Sequence, residues 1–127
     1  MRNSFVVGVV AAVAVLGLLS FSALARQPFD APAFEQAQAS GKTILVDVRA
    51  SWCPVCKVQQ PIIRRIEQDK PGLVVYEVDF DRDKSVLKQL RVQSQSTLIV
   101  FKGTREVGRS TGDTDASRIR ALVDKGF

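Results

Sequence analysis

The 127-residue chain has no histidine, two cysteines and a single methionine, which is its first residue. A structural zinc site of the usual kind takes four ligands from cysteine and histidine, and one copy of this chain cannot supply them. The same poverty counts against a copper carrier, because no methionine remains once a leader is removed. Internal repeats, low-complexity tracts and clusters of one charge are also lacking. Basic side chains number 18 against 13 acidic ones, and dropping Arg2 with the leader leaves 17 against 13, scattered along the sequence. That pattern suits a solubilising surface rather than nucleic-acid or membrane binding. Its only local concentrations, Arg64-Arg65 and Arg105 with Arg109, are expected on solvated faces. Less a leader, the chain has room for one domain of roughly 100 residues with one core.

What is present begins with a leader. Met1-Arg2-Asn3 is positively charged, Phe5 to Leu24 is uncharged and mostly Val, Ala and Leu, and Ala23-Leu24-Ala25 supplies the small-x-small pattern of a cleavage site. Residues 1–25 are therefore expected to be a signal peptide, leaving a domain over residues 26–127. A stretch of about 20 apolar residues is also long enough for an uncleaved anchor; Gly17, Ser20 and Ser22 weaken its distal part and favour cleavage. No cysteine near the cleavage site could carry a lipoprotein anchor. Either form places the domain in the periplasm or outside the cell, where disulfides persist and have to be made, broken or corrected.

The rest of the chain is organised around the stretch from Ile44 to Pro61. An apolar run leads into Ser51-Trp52, then Cys53-Pro54-Val55-Cys56, then a segment with Val55, Val58, Ile62, Ile63 and Ile66 at helical spacing. The order reads strand, tight turn, helix. Cys53 falls near the N-cap and Pro54 at the first helical position, so unpaired N–H groups and the positive end of the helix dipole surround the Cys53 sulfur. That setting favours a thiolate, the form that attacks a disulfide. Cys56, one turn on, can resolve the mixed disulfide by closing a Cys53–Cys56 disulfide.

Trp52-Cys53-Pro54-Val55-Cys56-Lys57, preceded by Val46-Asp47 and followed by Pro61, resembles the active-site segment of the thioredoxin family, whose commonest form is Trp-Cys-Gly-Pro-Cys-Lys. The likeness runs from about Phe29 to the C-terminus and includes Ser96-Thr97-Leu98-Ile99-Val100-Phe101-Lys102 and the Gly112 region. It implies an α/β thioredoxin-like fold, with helices on both faces of a mixed sheet, and thiol–disulfide oxidoreductase activity on protein thiols and disulfides by a monomer without a cofactor. It further implies that Asp47, with a raised pKa, helps move the proton of the second thiol. Trp52, Pro54, Gln95, Ser96 and Thr97 would frame the cleft that admits an extended substrate segment, and Lys57 would either tune a thiol or stay a simple surface lysine. Pro61 would kink its helix. In an oxidising compartment, reductase work would draw electrons from a membrane thiol relay.

Two departures stand out. Pro54-Val55 replaces the usual Gly-Pro, and Ser96 occupies the place of the cis-proline found before the third strand in most relatives. A cis peptide before a non-proline residue costs roughly 2.5–4 kcal/mol, so the Gln95–Ser96 bond is expected to be trans. The substitution keeps a second function open, a thioredoxin-like module that holds a soft metal or one edge of a shared iron–sulfur cluster through the same two thiols.

The remaining elements follow from pattern. Gln27-Pro28-Phe29 suits a short edge strand, and Asp30 caps a helix ending near Gly41. Ile44 to Arg49 is a central strand, interrupted by a carboxylate at Asp47 that is costly there without a task. The helix after the cysteines runs to about Gln68, and Leu73 to Phe80 is a second buried strand. Asp81 to Asp83 opens a short helix with Val86, Leu87 and Leu90 inward. Thr97 to Lys102 and Arg105 to Arg109 form a hairpin. Asp113 or Thr114 caps a last helix whose stripe is Ala116, Ile119, Leu122 and Val123.

Overall fold

Alternation along one strand decides where the core and the site lie. In β2 (Thr43–Arg49), Ile44, Val46 and Val48 point to one face of the sheet, and Leu45 and Asp47 point to the other. Every one of these side chains is fully buried, because helices cover both faces. The computed structural model describes residues 26–127; the expected leader over residues 1–25 lies outside the described residues.

Chain order is β1 (Gln27–Pro28), α1 (Ala31–Ala39), β2, α2 (Pro54–Asp69), β3 (Leu73–Asp79), α3 (Lys84–Gln89), β4 (Thr97–Lys102), β5 (Arg105–Thr111) and α4 (Ala116–Asp124). The strands assemble as β1-β3-β2-β4-β5, with β1, β3 and β2 parallel and β4 and β5 antiparallel. Ile44, Val46 and Val48 join Phe34, Tyr76, Leu87, Ile99 and Phe101 in a core beneath α1 and α3. Leu45 joins Ile63, Ile66, Leu98, Val100, Ile119 and Leu122 in a second core beneath α2 and α4. Asp47 follows Leu45 on that second face, so a carboxylate occupies a core position under α2.

The expected α/β architecture stands, with local corrections. Asp115, not Asp113 or Thr114, caps α4, its carboxylate accepting from Arg118 N–H at 2.9 Å. Asp113 instead pairs with the Arg118 guanidinium at 3.0 Å. Ala116 is exposed, so the buried stripe of α4 is Ile119, Leu122 and Val123. On α2 the inward positions are Cys56, Gln59, Gln60, Ile63 and Ile66, while Val58 is 49% exposed. The helix continues through Pro61 to Asp69. β5 runs two residues further than expected, to Thr111, with a register shift opposite Val100 and Phe101. Arg109 is not simply solvated: it pairs with Glu106 and donates to the carbonyls of Leu90 and Arg91.

The C-terminus is seated on the sheet. Thr43 Oγ1 donates to the carbonyl of Gly126, and a Cβ at that glycine would lie 2.5 Å from Thr43 Cγ2 and 3.1 Å from Val100 Cγ1. Gly126→Ala is therefore expected to destabilise the fold by about 1–3 kcal/mol, read as a lower urea midpoint at unchanged slope; an unchanged midpoint would show that the terminus is not held there.

Candidate active site

Cys53 is the N-cap of α2, with extended backbone (φ −85°, ψ 110°), and Pro54 begins the helix. Its sulfur accepts the Cys56 N–H at 3.1 Å, using one of the donors that a helix start leaves unpaired. Cys53 and Cys56 are disulfide-bonded, with Cα atoms 5.3 Å apart. The helix start thus stabilises a sulfur-centred charge at Cys53, while Cys56 lies inside the first turn. Both cysteines are 1% exposed in this oxidised form, packed with Ala50 and covered by Val55 and Phe80.

The rim around the disulfide is exposed. Trp52 is 53% exposed, and its indole N–H donates to Asp81 Oδ2 at 2.8 Å, which holds the ring beside the turn. Pro54 and Lys57 are also exposed. The cations that act on Asp47 are Arg26 and Arg49.

Asp47 is fully buried, and Oδ2 accepts from Gln60 Nε2 at 2.9 Å. Its Oδ1 is buried without a hydrogen-bond partner. Burial pushes the carboxyl above its ordinary range; the Gln60 hydrogen bond and Arg26 pull it down, Glu77 pushes it up, and Arg49 pulls it down. Gln60 stands four residues after Cys56, on the same face of α2. The helix that presents the thiols therefore also holds the acid.

Facing α2 is the loop that enters β4. No cis peptide bond occurs among the described residues, so Gln95–Ser96 is trans, and Ser96 takes a left-handed conformation at φ 57°. The loop is tied from several sides. The Ser96 carbonyl accepts from Gly112 N–H at 3.0 Å and from Gln59 Nε2 at 3.2 Å, and Gln59 also donates to the Asp113 carbonyl at 2.8 Å. Thr97 Oγ1 donates to the Ser94 carbonyl at 2.8 Å. Ser96 and Thr97 are buried and Gln95 is half-buried, so of the residues expected to frame the cleft only Trp52 and Pro54 stand at the open surface.

Comparison with known proteins resolves what this site is. The family model described as Thioredoxin matches residues 26–125. The chain belongs to the thioredoxin family. It is 35% identical over 92 residues to the thioredoxin of Chlamydia trachomatis, covering 72% of this chain and 89% of that protein. It is 34% identical over 91 residues to thioredoxin-2 of Saccharomyces cerevisiae, covering 71% and 88%. Among solved structures, Trxlp from Edwardsiella tarda EIB202 superposes with a TM-score of 0.75 at 42% identity, covering 78% of this chain and 98% of that one.

As a thioredoxin-family protein the chain is a thiol–disulfide oxidoreductase, and Cys53 and Cys56 are its redox-active pair. No group of three or more His, Cys, Asp or Glu side chains is placed to hold a metal among the described residues. Sequence reading had missed the polar frame of this thioredoxin-type site: Gln59, Gln60, Arg26, Arg49, Glu77 and Asp81. One signal was available. Gln59 and Gln60 stand three and four residues after Cys56, which puts polar side chains on the buried face of an amphipathic helix. Nothing local identified Arg26, whose contacts on Gln60 lie 34 residues away along the chain.

Proposed function

We propose that this protein is exported and exchanges disulfides with partner proteins outside the cytoplasm, with Cys53 as nucleophile, Cys56 as resolving thiol and Asp47 as proton acceptor. The observation that carries these roles is the Cys53 sulfur at the N-cap of α2, accepting the Cys56 N–H. Export is supported by the composition of residues 1–25.

In the reducing direction the Cys53 thiolate attacks a substrate disulfide, one substrate sulfur leaves as a thiolate, and a mixed disulfide forms. Cys56 then gives its proton to Asp47 and attacks the Cys53 sulfur. The bond to the substrate breaks, the substrate leaves as a dithiol, and the Cys53–Cys56 disulfide remains. Two electrons pass to the substrate, and a dithiol reductant, such as a membrane thiol relay, returns them. Trp52 and Pro54 offer the exposed contact surface, Lys57 adds positive charge beside it, and Gln95, Ser96 and Thr97 form the opposite wall. A carboxyl whose proton affinity is raised by burial is a suitable acceptor, since it takes a proton more readily than an exposed carboxylate and can return it.

The test is the redox equilibrium of the protein in glutathione buffers, followed by thiol trapping, with the N-terminal sequence read on protein recovered from the cell envelope. A single two-electron transition and a chain beginning at Arg26 are expected. Absence of any dithiol–disulfide transition would overturn the exchange roles, and retention in the cytoplasm would overturn export.

A further inference from the structure

Gln60 is the only side chain that hydrogen-bonds Asp47 among the described residues, and its amide can present either of two edges. With Nε2 inward it donates to a carboxylate. With Oε1 inward it can only accept, which requires Asp47 to carry a proton. Which edge faces the acid is settled on the far side of the amide. There Oε1 accepts from the Arg26 guanidinium, and from Arg49 at 3.4 Å. A guanidinium has donors and no acceptor, so only the oxygen edge can meet it.

Arg26 is the firmer of the two anchors. Its Nε donates to Glu67 Oε2 at 2.7 Å, it also donates to the Gln60 carbonyl at 3.2 Å, and it lies 3.6 Å from Glu77. Its side chain is 14% exposed, against 36% for Arg49. Sited just before β1, it ties the short edge strand across β3 to the helix that bears the cysteines.

We propose that Arg26 is a positioning residue for disulfide exchange: by gripping the amide oxygen and the backbone of Gln60, it keeps the amide N–H of Gln60 on Asp47. The inference rests on the proton role given to Asp47 above. Without Arg26 only the longer Arg49 contact, at 3.4 Å, holds the oxygen edge outward, so the amide turns its oxygen inward more readily, where it favours a protonated Asp47. The acid then parts less readily with its proton, so that across its titration range fewer molecules can accept the Cys56 proton. The charged groups facing Asp47 are Arg26 ahead of β1, Arg49 on β2 and Glu77 on β3, with Glu67 on α2 reaching it through Arg26. Loss of a cation acts in the same direction through space, so the test has to separate charge from orientation.

The experiment follows the Asp47 side-chain carbon by NMR titration in the reduced mature protein, alongside the pH profile of the resolving step. Arg26→Met is expected to move the Asp47 midpoint to higher pH and, at pH values below that midpoint, to slow resolution on the order of threefold, with the rate recovering as pH rises. Arg26→Lys keeps the charge but not the forked grip, so it should fall between wild type and Arg26→Met. In a Gln60→Leu background the Arg26→Met shift should shrink markedly. An unmoved midpoint in Arg26→Met, or the same shift with and without Gln60, would overturn the proposal. If Arg26→Met does not fold, Arg26→Lys and Glu67→Gln carry the test, the latter loosening Arg26 without touching Asp47. A midpoint that moves while Asp47→Asn leaves exchange unaffected would support the Arg26 link and sink the proton role instead.

Discussion

Cys53→Ser is expected to abolish disulfide exchange, with a loss on the order of 10³-fold or more, whereas Cys56→Ser should stop the reaction after its first half. Serine at the helix start feels the same dipole as cysteine but does not ionise there and does not attack sulfur. With Cys56 replaced, Cys53 still attacks, and no neighbouring thiol displaces the partner. The mixed disulfide then accumulates and can be identified by mass spectrometry without reductant. Turnover of a disulfide substrate under a thiol regenerating system should vanish in both variants, and only Cys56→Ser should carry a trapped partner. A trapped partner on Cys53→Ser, and none on Cys56→Ser, would reverse the two roles. The asymmetry has a structural cause: Cys53 is the N-cap and receives a backbone N–H on its sulfur, while Cys56 lies inside the helix.

Asp47→Asn should make the protein more stable at neutral pH and less active there. Burial raises the proton affinity of Asp47 in the folded state above its value in the unfolded chain. The folded protein therefore binds more protons than the unfolded one between the two ionisations. Stability supplied by this group is fully present below the unfolded carboxyl range and is lost as pH rises through the folded midpoint. Asparagine cannot ionise, so its variant escapes that loss. Its carbonyl can still accept from Gln60 Nε2, and its amide nitrogen takes the place of an oxygen that is already without a partner. The variant thus stands in for the protonated acid. Urea unfolding should give matching stabilities at low pH and a gap that widens with pH, by at most about 1.4 kcal/mol per pH unit across the window. Resolution by Cys56 should slow in the same variant. Parallel stability curves at all pH values would show that Asp47 ionises equally easily in both states.

Much of the site was legible because it depends on near neighbours. A cysteine before proline at the start of an apolar periodic segment is an N-cap wherever the helix packs, and the alternation along β2 puts Asp47 on one face with Leu45. The errors came where several local solutions are equivalent. Asp113, Thr114 and Asp115 can each cap a helix, and packing of Ile119, Leu122 and Val123 against the sheet selected Asp115. Val58 and Gln59 adjoin on α2, and the position of the sheet, not hydrophobicity, turned the glutamine inward and left the valine out. The loop at Ser96 likewise takes its left-handed path with its carbonyl held by Gln59 and Gly112, neither of which a local pattern selects.

By itself the sequence determined the family, the cysteine pair, the helix that presents it and the burial of one carboxylate. These rest on interactions within a turn or a strand, which spacing encodes directly. Only the tertiary structure decided what surrounds that carboxylate. Gln60 reaches Asp47 from the covering helix, Glu77 approaches from the neighbouring strand, and Arg26 arrives from ahead of the edge strand. Proton affinity in a buried site depends on charges and donors within a few ångströms, and those are brought together by the sheet order rather than by proximity along the chain.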